Sequence, residues 1–234
     1  MTRTRESRRL TAFVLVPSLS VAALMAGLYF VAIPLAPVIS EYYFSQQVVV
    51  YQIYRLPLLI HIAGGGVALT AGSFNLVTTL TGRRRPAHKT VGQIYVAAVL
   101  TSAVAGTVMA FQAYGGIHPW GQFVVTSGFL TLAVLWFGTA ILALHAIAVR
   151  KDSEAHRFWM IVNFSLTFAA VTIRIENAML LASGLFESLY PLLGWVSWVP
   201  NLLVGIALAK RQPIRTQLEP NKTRTSTPPH HSWI

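Results

Sequence analysis

Residues 57–75 read Pro57-Leu58-Leu59-Ile60-His61-Ile62-Ala63-Gly64-Gly65-Gly66-Val67-Ala68-Leu69-Thr70-Ala71-Gly72-Ser73-Phe74-Asn75. The run holds no Asp, Glu, Lys or Arg. A helix crosses a bilayer core about 30 Å thick with about 20 apolar residues. The run, continued to about Leu80, therefore reads as a membrane span. Gly64, Ala68 and Gly72 recur every four residues and lie along one helical face. His61 and Asn75 extend that face by one step of three at each end. Three consecutive glycines would cost a soluble helix about 1 kcal/mol each relative to Ala. In a membrane, small residues let a neighbouring helix or a flat ligand come close. The stripe thus has two readings. One is close helix packing. The other is a cofactor or lipid-like substrate lying against Gly64, Gly65, Ala68 and Gly72, with His61 on the same face.

Five more runs of this kind surround it: about Ala12–Ile33, Gln93–Tyr114, Phe123–Val149, Phe158–Leu181 and Leu192–Ala209. Of the 234 residues 54% are hydrophobic and 11% are charged, against about 25% charged in an average soluble domain. That excludes a disordered chain, a fibrous repeat and an ordinary soluble enzyme. The expected fold is all-α: a polytopic membrane protein of six transmembrane helices. Spans two and three share a short basic turn, as do spans four and five. This predicts two antiparallel pairs forming a four-helix core from spans two to five, with spans one and six peripheral. Residues 1–11 read as a basic N-terminus, 12–209 as one transmembrane domain, and 210–234 as a basic tail with little fixed structure. The first span is too long for a cleavable signal and contains Pro17, so it reads as a retained helix.

Net charge is +11, from 18 Lys and Arg against 7 Asp and Glu. Sixteen of the eighteen basic residues fall on one side of the six-span arrangement; only Arg55 and Arg174 do not. Positive residues stay cytoplasmic, so both termini are expected in the cytoplasm, in a bacterial inner membrane. The basic excess is then a topology signal, and no nucleic-acid partner is needed to explain it. The lipid bilayer is the expected partner, with a redox or membrane-complex partner beside it.

Ionisable residues inside spans are functional candidates, because burying them is expensive. At about 1.5 Å per residue, His61 lies roughly 6 Å inside the outer boundary, and Arg174 roughly 24 Å from the inner end of span five. The two share a level near the outer face. Arg174 either pairs with Glu176 or Glu41 to lock helices, or binds an anionic group such as a propionate, carboxylate or lipid phosphate. His88, His145 and His156 form a second group at the inner boundary. Neutral imidazole is the commonest metal ligand and an axial ligand of haem iron. His61, His88, His145 and His156 are the candidate metal ligands, with loop histidines as the plain alternative. His118 reads as an outer-loop residue, and His230 and His231 as part of a solvated tail. Trp120, Trp159, Trp195 and Trp198 fall near span boundaries, as interface anchors do.

There is no cysteine, which excludes disulfides, thiolate metal sites and a cysteine nucleophile. There is no phosphate-binding loop, nucleotide fingerprint, zinc helix or nucleophile elbow.

Four segments together resemble a family of bacterial membrane proteins catalogued as domain of unknown function 2306. They are His61-Ile62-Ala63-Gly64-Gly65 with Ala68-Leu69 and Gly72; His88-Lys89-Thr90-Val91-Gly92-Gln93-Ile94-Tyr95; His156-Arg157-Phe158-Trp159-Met160 leading to Arg174; and Trp195-Val196-Ser197-Trp198 with Asn201. The resemblance covers spans two to six. It implies an Arg shortly after the His-Arg-x-Trp-Met segment, where this chain has Asn163, and a Gln near the end of span two, where it has Asn75. It supplies a topology and a residue list and no reaction.

The leading functional expectation is a haem b- or quinone-binding redox membrane protein. In it His61 is an outer-side ligand or quinol contact, His88, His145 and His156 are inner-side ligands, and Arg174 pairs with an anionic substituent. The alternatives are a non-enzymatic membrane subunit or small transporter, and a lipid-modifying enzyme with His61 as general base.

Overall fold

The computed structural model describes residues 2–35, 50–80 and 86–211, which form helices joined by short turns, with no strand among them. Glu41, Arg83, Arg84, Arg85, His230 and His231 lie outside the described residues. Six stretches are long and apolar enough to cross a membrane: Thr11–Ala32, Arg55–Thr79, His88–Ala110, Gly121–Ala148, Ser153–Ser183 and Phe186–Arg211. All six expected spans are therefore present. Several are longer than their apolar runs, because polar residues such as Arg55, His88 and Lys210 complete the terminal turns.

The first span is α1 (Thr2–Gly27), which continues through a π-helical turn, Leu28–Ala32, where the Ile33 N–H donates to the Leu28 carbonyl. Spans two to four are α2 (Arg55–Leu80), α3 (His88–Ala110) and α4 (Gly121–Ala148). Span five is broken at Phe168 into α5 (Ser153–Thr167) and α6 (Ala169–Ser183). Span six starts as short helical turns from Phe186 to Val196 and ends as α7 (Val199–Arg211). α2 packs on α3, α3 on α4, α4 on α5, and α5 back on α2. That closes a four-helix ring from spans two to five. α1 lies against α2, and α7 against α5, so the first and sixth spans flank the ring.

The turn between α4 and α5 shows how the sequence ends one helix and starts the next. Lys151 adopts the left-handed conformation at φ 56°, which stops α4. Asp152 is extended and caps α5, its Oδ1 accepting the N–H groups of Glu154 at 3.1 Å and Ala155 at 2.9 Å. Its pair with Arg150 at 3.4 Å is exposed and contributes little.

Glycines set the helix spacing. A methyl group on Gly64 would lie 2.9 Å from Ser102 Cβ and 3.1 Å from the Ala98 carbonyl oxygen. On Gly72 it would lie 2.6 Å from ring atoms of both Tyr95 and Phe164. Ala68, between them, is fully buried. The face of α2 that carries the stripe is thus filled by α3 and α5. At the ring's far side α4 crosses span six through Gly128 and Gly194; a methyl on Gly128 would collide with the Gly194 backbone. One tryptophan departs from expectation. Trp198 is buried, its Nε1 donating to the Gly194 carbonyl at 2.6 Å, so it is a core residue and no interface anchor.

Because the atom opposite Gly128 is backbone and cannot rotate away, Gly128→Ala is expected to destabilise the protein by about 1–3 kcal/mol, the usual cost of overpacking. Thermal unfolding in detergent measures it. Gly138→Ala is the control, since nothing lies within 4 Å of a methyl there.

Candidate functional site

His61 sits on α2 six residues in from Arg55, the start of the second span, facing α3. Its Nδ1 lies 3.0 Å from the Ser102 carbonyl oxygen. A carbonyl only accepts, so Nδ1 carries the proton and Nε2 holds the lone pair. Ser102 completes the clasp by donating its hydroxyl to the His61 carbonyl at 2.8 Å. The ring lies over Gly106, where a methyl would stand 3.1 Å from Nδ1. Small residues on α3 thus fix both the tautomer and the ring plane.

Arg174 on α6 approaches the same place, as the depth argument from the sequence required. Its charge acts on His61, Tyr29 and Tyr190. Its Nε donates to Met25 Sδ at 3.2 Å. Met25, Tyr29, Leu58, Ile62 and Met109 pack into one cluster around this end of α1, α2 and α3. Tyr29 belongs to the π-helical turn of the first span; such turns often occur at functional sites.

The Arg174–Glu176 pair does not form. Residues two apart on a helix point to opposite sides. The ion pair among the described residues is the one at Arg150. Glu176 Oε2 and Asn177 Oδ1 are both sealed from solvent without a hydrogen-bond partner, as is the Tyr51 hydroxyl. Asn177, three residues after Arg174, shares its side of α6. Glu41 lies outside the described residues.

The three other candidate histidines do not converge. His88 opens α3, its carbonyl accepting from Asn75 Nδ2 at 3.3 Å. His156 on α5 donates from Nδ1 to the Ala143 carbonyl at 2.9 Å. His145 on α4 is exposed. Among the described residues no three His, Asp or Glu side chains are grouped to hold a metal ion. His118 is a loop residue stacked on Trp120 at 4.7 Å.

The stripe on α2 is likewise occupied. Ser102, Ala98, Tyr95 and Phe164 fill the space a flat ligand would need against Gly64, Ala68 and Gly72, and a methyl on Gly65 would lie 3.7 Å from Ser102 Oγ. A separate groove of about 540 Å³ runs between α1 and α2 past Ala22, Ala26, Gly66 and Thr70. Gly66 and Thr70 lie on the far side of α2 from His61, by the 100° step of a helix. This groove is not part of the His61 site.

A second polar group went unread in the sequence. Tyr95, Trp136, Thr139, Asn163 and Thr167 form a closed network in the middle of the ring. The Tyr95 hydroxyl donates to Asn163 Oδ1 at 2.5 Å, and Thr167 Oγ1 is 2.8 Å from it. Trp136 Nε1 donates to Thr167 at 2.9 Å. The two amide hydrogens of Asn163 go to the Trp136 carbonyl and to Thr139 Oγ1, both at 2.7 Å. Each of these donors and acceptors is used. The available signal was the spacing His88, Tyr95, Ser102, Met109: four polar or sulfur residues seven apart, on one face of α3.

A family model described as a predicted membrane protein, domain of unknown function 2306, matches residues 58–208, more than half of the chain. No curated protein and no solved structure matches.

Tyr95→Phe keeps the ring and leaves Asn163 Oδ1 without its donor. It is expected to cost about 1–3 kcal/mol, the usual penalty for a buried unsatisfied group. Thr167→Val should cost a similar amount, and the double variant less than the sum. Unfolding of the three variants in detergent tests this coupling.

Proposed function

Since the chain belongs to this family of predicted membrane proteins, catalogued as domain of unknown function 2306, we propose from the site geometry that it is a quinone-binding redox membrane protein. One observation carries the reading. His61 has spent Nδ1 on the Ser102 carbonyl and keeps Nε2 as an acceptor, within reach of the charge of Arg174. Arg174 has no carboxylate partner among the described residues. A quinone head matches that pair. Its ring oxygen takes an N–H of Arg174, and in the reduced form its hydroxyl donates to Nε2 of His61. His61 then acts as general base when the hydroxyl proton leaves. Complete oxidation of the quinol releases two protons, one through His61 and the other to solvent, and two electrons, which a separate redox protein in the membrane accepts. Tyr29 and Tyr190 lie within reach of the same Arg174 charge.

Haem b is the competing ligand. An imidazole whose Nδ1–H is held by a carbonyl is the usual arrangement of a metal-bound histidine, and Arg174 would suit a propionate. Against it stands the packing of α2: the face beside His61 is filled by α3, and His88, His145 and His156 supply no second ligand at its level. A quinone head needs far less room.

By the positive-inside rule the His88 end, with Lys89, Arg150, Lys151 and Arg157, belongs in the cytoplasm together with both termini. The His61 site then lies at the outer level of a bacterial inner membrane.

The test uses the detergent-purified chain and a short-tailed benzoquinone, followed by quenching of tryptophan fluorescence. Saturable binding is expected, weakened about tenfold or more, that is by at least about 1.4 kcal/mol, in His61→Ala and in Arg174→Gln. Binding that is absent, or unchanged in both variants, rejects the proposal. An absorption spectrum before and after dithionite settles the haem alternative. A Soret band that shifts on reduction and disappears in His61→Ala would replace quinone by haem.

A further inference from the structure

We propose that the groove between α1 and α2 is a lipid site, and that it holds one hydrocarbon chain of a membrane phospholipid along the outside of the helical ring. The proposal goes beyond the His61 site and does not depend on what binds there.

α2 has two unlike faces. Ala68 and Leu69 are buried in the ring, while Ala63, Val67 and Thr70 are exposed on its outside. The groove follows that outer face from Ile62 to Ala71. Its midpoint coincides with the middle of the second span, Arg55–Thr79, which puts it at the centre of the bilayer. Ala22 and Ala26 of α1 form one wall; Val91 and Ile94 of α3 form the other at the end toward His88. Small residues create the slot: even a methyl on Gly66 would stand 4.0 Å from Ala22 Cβ.

Chemistry, width and contact together select the occupant. Thr70 is the one polar side chain that lines the groove, and its hydroxyl donates to the Gly66 carbonyl at 2.9 Å. The lining thus offers a ligand no charge and no free side-chain donor, which suits hydrocarbon and no polar group. Nine residues of α2 at about 1.5 Å each make the groove about 13 Å long. A volume of about 540 Å³ over that length leaves a slot about 6 Å across. A helix with its side chains is about 10–12 Å across, so a helix of a second copy would rest on the rims. A stable protein interface also needs about 800 Å² from each partner, far more than so short a slot provides. A single polymethylene chain enters it. Hiding apolar surface gains nothing in a bilayer, so dispersion must hold the chain. A flat helix face touches a chain from one side; this slot touches it from its floor and both walls.

The test places the full chain in vesicles that contain a phosphatidylethanolamine with a diazirine at the end of one acyl chain. After illumination the crosslinked residues are mapped by mass spectrometry. Val134 and Ile141, exposed apolar residues in the middle of α4, report ordinary contact with lipid. Crosslinks at Ala26 and Ala63 are expected to exceed those at Val134 and Ile141 about fivefold or more, which corresponds to about 1 kcal/mol of preference. In Gly66→Phe, which fills the slot, they should fall to the α4 level. Thr70→Phe blocks the same slot and carries the test if Gly66→Phe fails to accumulate. Equal labelling of the groove and α4 in the unaltered chain overturns the proposal, as does an excess that survives both substitutions. Two further outcomes assign the groove to another occupant and overturn it as well. One is a dimer that Gly66→Phe splits into monomers, which means a second copy. The other is displacement of the crosslinks by a long-tailed quinone and not by unlabelled phospholipid, which means an isoprenoid tail.

Discussion

The close approach of α2 to α3 is the constraint from which the rest of this structure follows. Lipid tails are as apolar as leucine, so helices in a bilayer gain nothing by hiding apolar surface and must gain by packing and by hydrogen bonds across the contact. Gly64, Ala68 and Gly72 remove the side chains that would keep the backbones apart, down to 2.9 Å between a methyl on Gly64 and Ser102 Cβ. Only at that separation can the Ser102 carbonyl reach His61 Nδ1 and the Ser102 hydroxyl reach the His61 carbonyl. The glycines therefore position the histidine, although they contact no ligand. The helix penalty of about 1 kcal/mol per glycine is offset by dispersion along the contact and by this pair of hydrogen bonds.

The same contact divides the interior. On the His88 side of His61 the polar group around Tyr95 is buried and bonded within itself and to nearby carbonyls, while Asn75 Oδ1 and Ser18 Oγ are sealed without a partner. Tyr95 and Asn163 are 0% exposed and fully bonded. In hydrocarbon an unmet donor costs a few kcal/mol, so a network here must be complete or absent. Completeness also fixes register, since sliding α3 past α5 would break several bonds together. The other side of His61 carries the irregular backbone. There the polar atoms are half-buried or unpaired, the first span turns π-helical at Tyr29, and the fifth span has already broken at Phe168.

The architecture was legible because the membrane imposes one rule on every segment. Six apolar runs and the alternation of Lys and Arg suffice to order the spans, and the short turns pair them. The common level of His61 and Arg174 was also legible, since depth follows from counting residues along rigid helices. What was hidden is azimuth, the direction each residue faces once the helices pack. Periodicity says that Gly64, Ala68 and Gly72 share a face; it does not say that Tyr95 and Phe164 fill the space before them. Counting places His88, His145 and His156 at one boundary; only packing turns His145 outward and ties His156 to the Ala143 carbonyl. The Tyr95 network was hidden for the same reason. Its members come from three helices, and each alone looks like an ordinary core residue. Asn163 proves to be the centre of that network.

Arg174 shows most clearly why packing alone does not account for the His61 end. A guanidinium within a span costs about 2.5–3.5 kcal/mol even on scales that allow local relaxation. A core residue would recover that cost from a carboxylate. Glu176 is on the same helix but points the other way, and the contact Arg174 does make, to Met25 sulfur, is a weak acceptor. Glu176 in turn is sealed without a donor. Opposite charges two residues apart that do not meet are poor design for a helix lock and good design for a site. Each holds capacity that a polar ligand or water can fill. His61 beside Arg174 adds an acceptor to a cation, so the complement of the pair is a group with one electron-rich oxygen and one transferable proton. A lone cation would call for a phosphate; the histidine makes the requirement amphoteric, and that shifts the balance toward a quinol.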